Sequence, residues 1–291
     1  MPGKYKGDIK MKAINLKKIM AVGLSLVMVV GTLALTSCGS DKQEASGGDA
    51  MSQLANEGEL IVGLDDTFAP MGFRDENGDL VGFDIDFANA VGEKLGVKVK
   101  FQPIKWDAKD MELTSKNVDC VWNGMSVTPE REEAMALSNK YLDNKIILMA
   151  KADSDVEINS AEDLAKYNIG TQVDSAALNT LERNEAYDSF KDKITTYDTY
   201  DTALLDMEAG RVDVIAIDQV LGEYKNNNLN GELKACEYNL GNDAYAIGFR
   251  KSDEALRDAV NDAIKELIDD GTAEEISNKW FGKNIVIFEE I

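Results

Sequence analysis

The chain has 291 residues, long enough for two lobes that each bury a core, and its 44% hydrophobic and 29% charged content is that of a globular protein. Its 53 acidic against 31 basic residues give a net charge of −22, which argues against a nucleic-acid partner and suits a soluble surface. Histidine is absent, so histidine-based triads and histidine-ligated metals are excluded, and no cofactor or metal is expected.

Residues 1–37 run against that acidic balance. Lys4, Lys6, Lys10, Lys12, Lys17 and Lys18 face only Asp8, an uncharged stretch follows from Ile19 to Leu35, and Leu35-Thr36-Ser37-Cys38 closes it. A basic segment, an apolar segment and small residues before a cut site predict a secretory signal over residues 1–37, with Met11 as an alternative start. The tetrapeptide ending in Cys38 resembles a bacterial lipobox, in which that thiol is lipidated, with palmitate among the attached chains. A membrane-spanning anchor is the competing reading of the apolar stretch. Residues 38–56, rich in Gly, Ser, Ala and charge without an apolar period, predict a flexible tether.

Order begins at Leu60-Ile61-Val62-Gly63-Leu64, a short apolar run of buried-strand type. Asn77-Gly78 predicts a tight turn. Phe83, Phe87, Val91 and Leu95 recur at helical spacing, and Gly96 supplies a helix end. Val97, Val99 and Phe101 alternate as a strand does, and Val118–Trp122 predicts another strand after a helical stretch. The order then repeats: a strand at Asn168–Thr171, a helix near Ala176–Arg183, a strand at Ile194–Tyr197, a helix at Thr202–Glu208 and a strand at Val212–Ile217. A helix around Glu254–Leu267 and a short one reaching Trp280 close the chain. Strand–helix alternation of this kind predicts an α/β fold with largely parallel pairing, in two lobes of like topology. Lys145–Lys151 and Tyr238–Arg250 read as extended crossings between the lobes. The expected division is residues 57–145 with 243–291 for a discontinuous first lobe, and 146–242 for the second. Cys120 and Cys236 lie in apolar runs far apart and are expected to be buried and unpaired.

Ligands of open α/β sheets gather beyond the carboxyl ends of the strands, so the polar residues there are the candidates. After the first strand, Asp65 and Phe68 offer an acceptor and a stacking face, or a plain surface turn. Thr128-Pro129 reads as a helix start, with the N-cap and first-position preferences of those residues. That puts Arg131 in the first helical turn, where a cation opposes the macrodipole; free N–H groups and a guanidinium there together favour an anion such as a carboxylate. The plain alternative is a surface pair with Glu132 or Glu133. In the second half, Asp218 follows an uncharged strand and is placed to accept from an ammonium or to cap the next helix. Ser175-Ala176 could supply a hydroxyl and N–H groups, although capping is the simpler role. A zwitterion held by Arg131 and Asp218, one from each lobe, would favour a closed state.

Gly82-Phe83-Asp84-Ile85-Asp86-Phe87, with Val91 and Leu95, resembles the signature of the family 3 solute-binding proteins of amino-acid ABC importers. The resemblance runs from about Glu59 to Gly282 and takes in Thr67–Pro70, Ser126–Arg131, Ala209–Asp213, Asp270–Thr272 and Lys279-Trp280. It implies a periplasmic-binding-protein type II fold: two three-layer lobes joined by a two-strand hinge. It implies that Arg131 binds the ligand's α-carboxylate, helped by Ser126 main chain and the Ser175–Ala176 segment. Asp218, the Ser126 hydroxyl and the Gly124 carbonyl would take the α-amino group. Phe68 and Trp106 would sandwich the side chain, with Asp65 at its polar end. Asn123-Gly124 stands where receptors for basic amino acids often carry a small hydroxyl pair, Ala176 lacks a hydroxyl often found at its position, and Lys109-Asp110 are polar where many members are apolar. The implied substrate is a polar L-amino acid of cystine, glutamine or basic type. The implied partners are a permease with its ATPase and, through Cys38, the outer face of the cytoplasmic membrane, the protein itself acting as a monomer and not as an enzyme. The rivals are an exported enzyme on the same scaffold, dehydratase-like, and an amino-acid sensor domain.

Overall fold

The computed structural model describes Ala50, Met51, Leu54 and residues 57–229 and 231–291. The expected signal, the lipidation at Cys38 and most of the tether lie outside these residues. Where the tether is described it is helical, with Ala50 and Leu54 buried against the core, so order begins earlier than the expected boundary because these apolar side chains find a place to pack.

Two mixed sheets organise the chain. In the first, β5 (Lys98–Pro103), β1 (Glu59–Leu64), β6 (Cys120–Val121), β14 (Gly248–Phe249) and β7 (Ala136–Leu137) lie side by side. The second has the order β10 (Ile194–Tyr197), β9 (Ile169–Gln172), β11 (Val214–Asp218), β8 (Lys140–Lys151), β12 (Leu233–Ala235). In each, three parallel strands are followed by an antiparallel one, at β6–β14 and at β11–β8. The like topology expected from the repeated order is therefore present, and the pairing is mixed where mostly parallel pairing was expected. The difference arises because the strand fourth in line in each sheet comes from a segment that crosses between lobes and so runs the other way. A small antiparallel meander, β2 (Thr67–Phe68), β3 (Gly72–Arg74) and β4 (Leu80–Val81), hangs from the first sheet.

Helices cover the sheets. Helix α1 (Phe83–Leu95) buries Phe83, Phe87 and Val91 on one stripe and ends at Gly96, whose left-handed conformation (φ 72°) closes the last turn as its sequence predicts. It packs against α8 (Glu254–Asp269) and α9 (Thr272–Phe281). Gly82 before it has φ 149°, and a Cβ there would sit 2.1 Å from the Met71 carbonyl oxygen, so no side chain fits at the head of the signature hexapeptide. Asp84 of that hexapeptide is buried and accepts hydrogen bonds from Trp122 Nε1 (3.1 Å), Gly124 N (2.7 Å) and the Tyr141 hydroxyl (2.8 Å). It thereby ties α1 to the loop after β6. Burial pushes its carboxyl up to about 7 against those three donors.

Strand β8 belongs to both halves. Ile146, Leu148 and Ala150 point into one apolar cluster and Ile147 and Met149 into another, as strand alternation requires. Its first half pairs with β13 (Gly241–Tyr245), Lys145 opposite Asn242, and with β15 (Val286–Glu289). Of the expected crossing segments only a part pairs: Leu142–Ile146 lies opposite Gly241–Tyr245, while Ile147–Lys151, expected as a crossing, is a strand within the second sheet between β11 and β12. The outcome is the two-lobed α/β fold that the strand–helix order predicts.

Cys120 is buried and Cys236 half-buried, both unpaired. Cys236 is less enclosed than its apolar run suggests, because it lies just past the end of β12. No helix among the described residues is long and apolar enough to cross a membrane.

Candidate ligand crevice

Helix α3 (Pro129–Ala134) starts as its sequence predicts: Thr128 caps it, its hydroxyl accepting from Arg131 N at 3.3 Å, with Pro129 in the first position. Arg131 is only 5% exposed and turns inward instead of to Glu132 or Glu133. Its Nη1 donates to the Ser126 carbonyl at 2.8 Å, its Nη2 to the Asp174 carbonyl at 3.1 Å, and the guanidinium lies 5.5 Å from the Trp106 ring centre. Burial lowers its pKa, against the pull of Asp174, Asp243 and Asp218. A guanidinium held by two neutral carbonyls still has strong affinity for a carboxylate, because a charge-assisted pair exceeds a neutral one.

Asp218 closes β11 and occupies the N-cap position of α7 (Gln219–Asn228), yet its side chain makes no capping bond. The carboxylate, 4% exposed, instead accepts from Asn144 Nδ2 at 2.8 Å and from the Tyr245 hydroxyl at 2.9 Å. Burial and then the neighbouring Asp243 charge push it up to about 7. It is an acceptor held ready for a cation in a site that water scarcely reaches.

Every residue expected at the ligand site except Asp65 lines one crevice: Phe68, Trp106, Asn123, Gly124, Ser126 and Arg131 from one side, Ser175, Ala176 and Asp218 from the other, with Gln172 added. The space left among them is about 10 Å³, room for about one water, so an amino acid enters only if the walls separate. Gly124 (φ 57°) brings the backbone close: a Cβ there would lie 2.9 Å from Phe68 Cε1. Ser175 caps α4 (Ala176–Glu182), its hydroxyl accepting from Leu178 N at 3.1 Å, which is the simpler role its sequence allowed. Asn123 accepts from Asp65 N at 3.0 Å, while its Nδ2, like the Tyr200 hydroxyl, is buried without a hydrogen-bond partner.

Asp65 lies just behind the crevice wall. One carboxylate oxygen accepts from Thr67 N (2.9 Å) and Oγ1 (2.6 Å), the other from Gln172 Nε2 at 2.8 Å. It reaches across the lobes, but to a protein amide. Asp174 is a second bridge: its carbonyl accepts from Arg131 and from Trp106 Nε1 (3.1 Å), and its carboxylate pairs with buried Lys109. The polar Lys109 is thus accounted for. Arg183 to Glu130 (2.7 Å), Lys105 to Asp198 (3.5 Å) and ring contacts Phe68–Tyr200 (6.1 Å) and Phe73–Tyr224 (5.6 Å) also cross between the lobes.

Sequence reasoning missed Gln172, Asn144, Asp243, Tyr200 and Tyr245. A signal existed for one of them: Asn144 is a polar residue directly before the largely apolar first crossing segment.

Residues 60–283 match the family of bacterial extracellular solute-binding proteins, family 3. The L-cystine-binding protein TcyJ of Escherichia coli (strain K12) is 30% identical over 269 residues, covering 92% of this chain and 99% of that protein. The L-cystine-binding protein TcyA of Bacillus subtilis (strain 168) is 32% identical over 270 residues, with coverages of 90% and 97%. Among solved structures, a substrate-binding protein of an ABC uptake transporter from Streptococcus pneumoniae with bound histidine superposes with a TM-score of 0.79 at 36% identity, covering 83% of this chain and 99% of that one. By its matched span, its topology and its relatives, the chain belongs to the bacterial extracellular solute-binding proteins, family 3.

Proposed function

We propose that this protein is the substrate-binding component of an ABC importer for a polar L-amino acid of cystine, glutamine or basic type. It works as a monomer tethered to the outer face of the cytoplasmic membrane through lipid on Cys38, and hands its ligand to a permease driven by an ATPase subunit. The observation that carries the reading is the pairing of a buried guanidinium and a buried carboxylate, Arg131 and Asp218, on opposite walls of one crevice. A zwitterion satisfies both at once only when the walls close, which is the differential contact that shifts an open–closed equilibrium. The two relatives named for L-cystine support cystine as the first ligand to try. No acid–base step is needed, and those two relatives and the Streptococcus pneumoniae protein are named as binding proteins, not enzymes.

A thermal-shift screen of the common amino acids with cystine identifies the ligand, since a ligand raises the stability of the state it binds. Calorimetry of Arg131→Ala is the decisive test. Loss of a charge-assisted interaction of about 1.5–3 kcal/mol weakens binding roughly 10- to 100-fold, with the unliganded protein still folding cooperatively. Unaltered binding would overturn the reading.

A further inference from the structure

Behind the crevice, on the ladder where the lobes join, stands a second carboxylate. Strand register explains how it meets Asp218. Asp218 lies opposite Ile146 of β8, Asp243 lies opposite Asn144, and Asn144 and Ile146 share a face of that strand. Three neighbouring strands, β11, β8 and β13, thereby direct two carboxylates and one amide to the same side. The single nitrogen Asn144 Nδ2 donates to Asp218 Oδ1 at 2.8 Å and to Asp243 Oδ2 at 2.7 Å. Ser126 Oγ, on the crevice wall, donates to that same Asp243 oxygen at 2.8 Å. Two like charges on one amide are costly in a buried setting unless a cation or a proton joins them.

We propose, on the basis of the amino-acid-binding reading above, that the ammonium end of the ligand is received by the Asp218–Asn144–Asp243 unit acting as a carboxylate pair, and that binding expels one proton from it. Asp218 touches the ligand; Asp243 is a positioning residue that acts through Asn144 and Ser126. The balance is simple: the protonated pair and the ammonium ion give the ion-paired site and one proton released to water, with no bond to carbon altered. The proton has an exit, because Asp243 and Asn144 also line a cleft of about 590 Å³ on the outer side of the ladder, so the outer member of the pair meets solvent there.

The other charged and titratable groups around the pair do not replace this role. Arg131 on α3 is nearest in charge, but its donors go to Ser126 and Asp174 carbonyls. Tyr245 on β13 donates to Asp218, and Tyr200 beside it on α6 (Tyr200–Glu208) is kept neutral by burial, its hydroxyl pushed well up. On the outer face, Asp143, Lys145, Glu223 and Lys283 surround the same cleft in mixed sign. Burial pushes the pKa of both members of the pair upward, with Asp218 at about 7, which places the proton where neutral solution can read it.

Calorimetry of the wild-type protein with L-cystine, L-glutamine and L-arginine, each in two buffers of different ionisation enthalpy, counts the protons released. For whichever amino acid binds, the expected result at pH 6 is close to one proton, with affinity falling about tenfold per pH unit below the pair's titration range. Asp243→Asn, which keeps shape and fold, is expected to reduce the proton release and shift the pH profile to lower pH while weakening binding about tenfold, burial alone still holding Asp218 raised. Asp218→Asn weakens it further. Binding by the wild type with no proton released between pH 5.5 and 7, or an unchanged pH profile in Asp243→Asn, overturns the pair and leaves the amino-acid reading standing. Absence of heat with every amino acid overturns the amino-acid reading, and the pair with it.

Discussion

The two ends of the crevice are built by different means. At the Arg131 end, the donors of one lobe are satisfied by acceptors of the other: the Asp174 carbonyl takes both Arg131 and Trp106, and Lys109 pairs with its carboxylate. At the Asp218 end, the carboxylate and its two donors, Asn144 and Tyr245, stand on β11, β8 and β13 of a single hydrogen-bonded ladder, and Ser126 joins them only through Asp243. Parting the lobes would break the cross-lobe bonds of the first end, whereas Asp218, Asn144, Asp243 and Tyr245 would stay joined through their strand pairing. On the proposed reading, an arriving ligand would meet a preformed acceptor at the ladder and a guanidinium that exchanges a neutral carbonyl for a carboxylate, so that closure would be sensed at the arginine end.

The strongest way to break this contrast is through Asp84, which holds Gly124 N and so the loop that carries the arginine end. Asp84→Ala leaves three buried donors without an acceptor and is expected to cost about 3 kcal/mol of folding stability, measured by urea unfolding. A cost near zero would mean that this end is not scaffolded from α1. Lys109→Met removes a cross-lobe ion pair whose Asp174 partner is partly exposed, worth about 1 kcal/mol of closure. X-ray scattering of the unliganded variant should show a larger radius of gyration than the wild type, while the hinge-side Asp218→Asn should not. Gln172→Ala frees one oxygen of Asp65. Affinity for arginine relative to glutamine is then expected to rise several-fold by calorimetry, since the freed carboxylate can meet a cationic side chain.

A further test is pH dependence. Asp84 and Asp218, each pushed by burial up to about 7, hold protons longer folded than unfolded. The native state is then the tighter proton binder from about pH 4 to about 7, so their contribution to stability is greatest at the acid side of that window and falls as pH rises through it. The melting temperature of the unliganded protein should therefore drop between about pH 5 and 7.5, and Asp84→Asn should flatten part of the slope. Asp270, held at about 2 by its hydrogen bonds from Lys94 and Thr272, has the opposite sign but acts only below about pH 4.

What could be read in advance follows from how local each signal is. Helix α1 shows in the spacing of Phe83, Phe87 and Val91, and its end in Gly96, because both are set within one segment. Arg131 stands out because a cation in a first helical turn is locally unfavourable and needs a reason. Asp65 is legible as a polar residue at a strand mouth, but its partner Gln172 is 107 positions away and on the other lobe. Asn144 and Asp243, 99 apart, meet only through strand register, and no short window of sequence contains that register. Antiparallel return strands escape for the same reason: their direction depends on how often the chain changes lobes.

The state of the thiols has a bearing on what such a receptor can safely carry. Cys120 is enclosed, and burial drives its ionisation far above the ordinary range; Cys236, half-covered, shifts the same way. Exchange with a disulfide begins with attack by a sulfur anion, and neither of these residues supplies one near neutral pH. If the cargo is an oxidised dithiol, these two described sulfurs would let the protein close around it and release it without cross-linking through either of them.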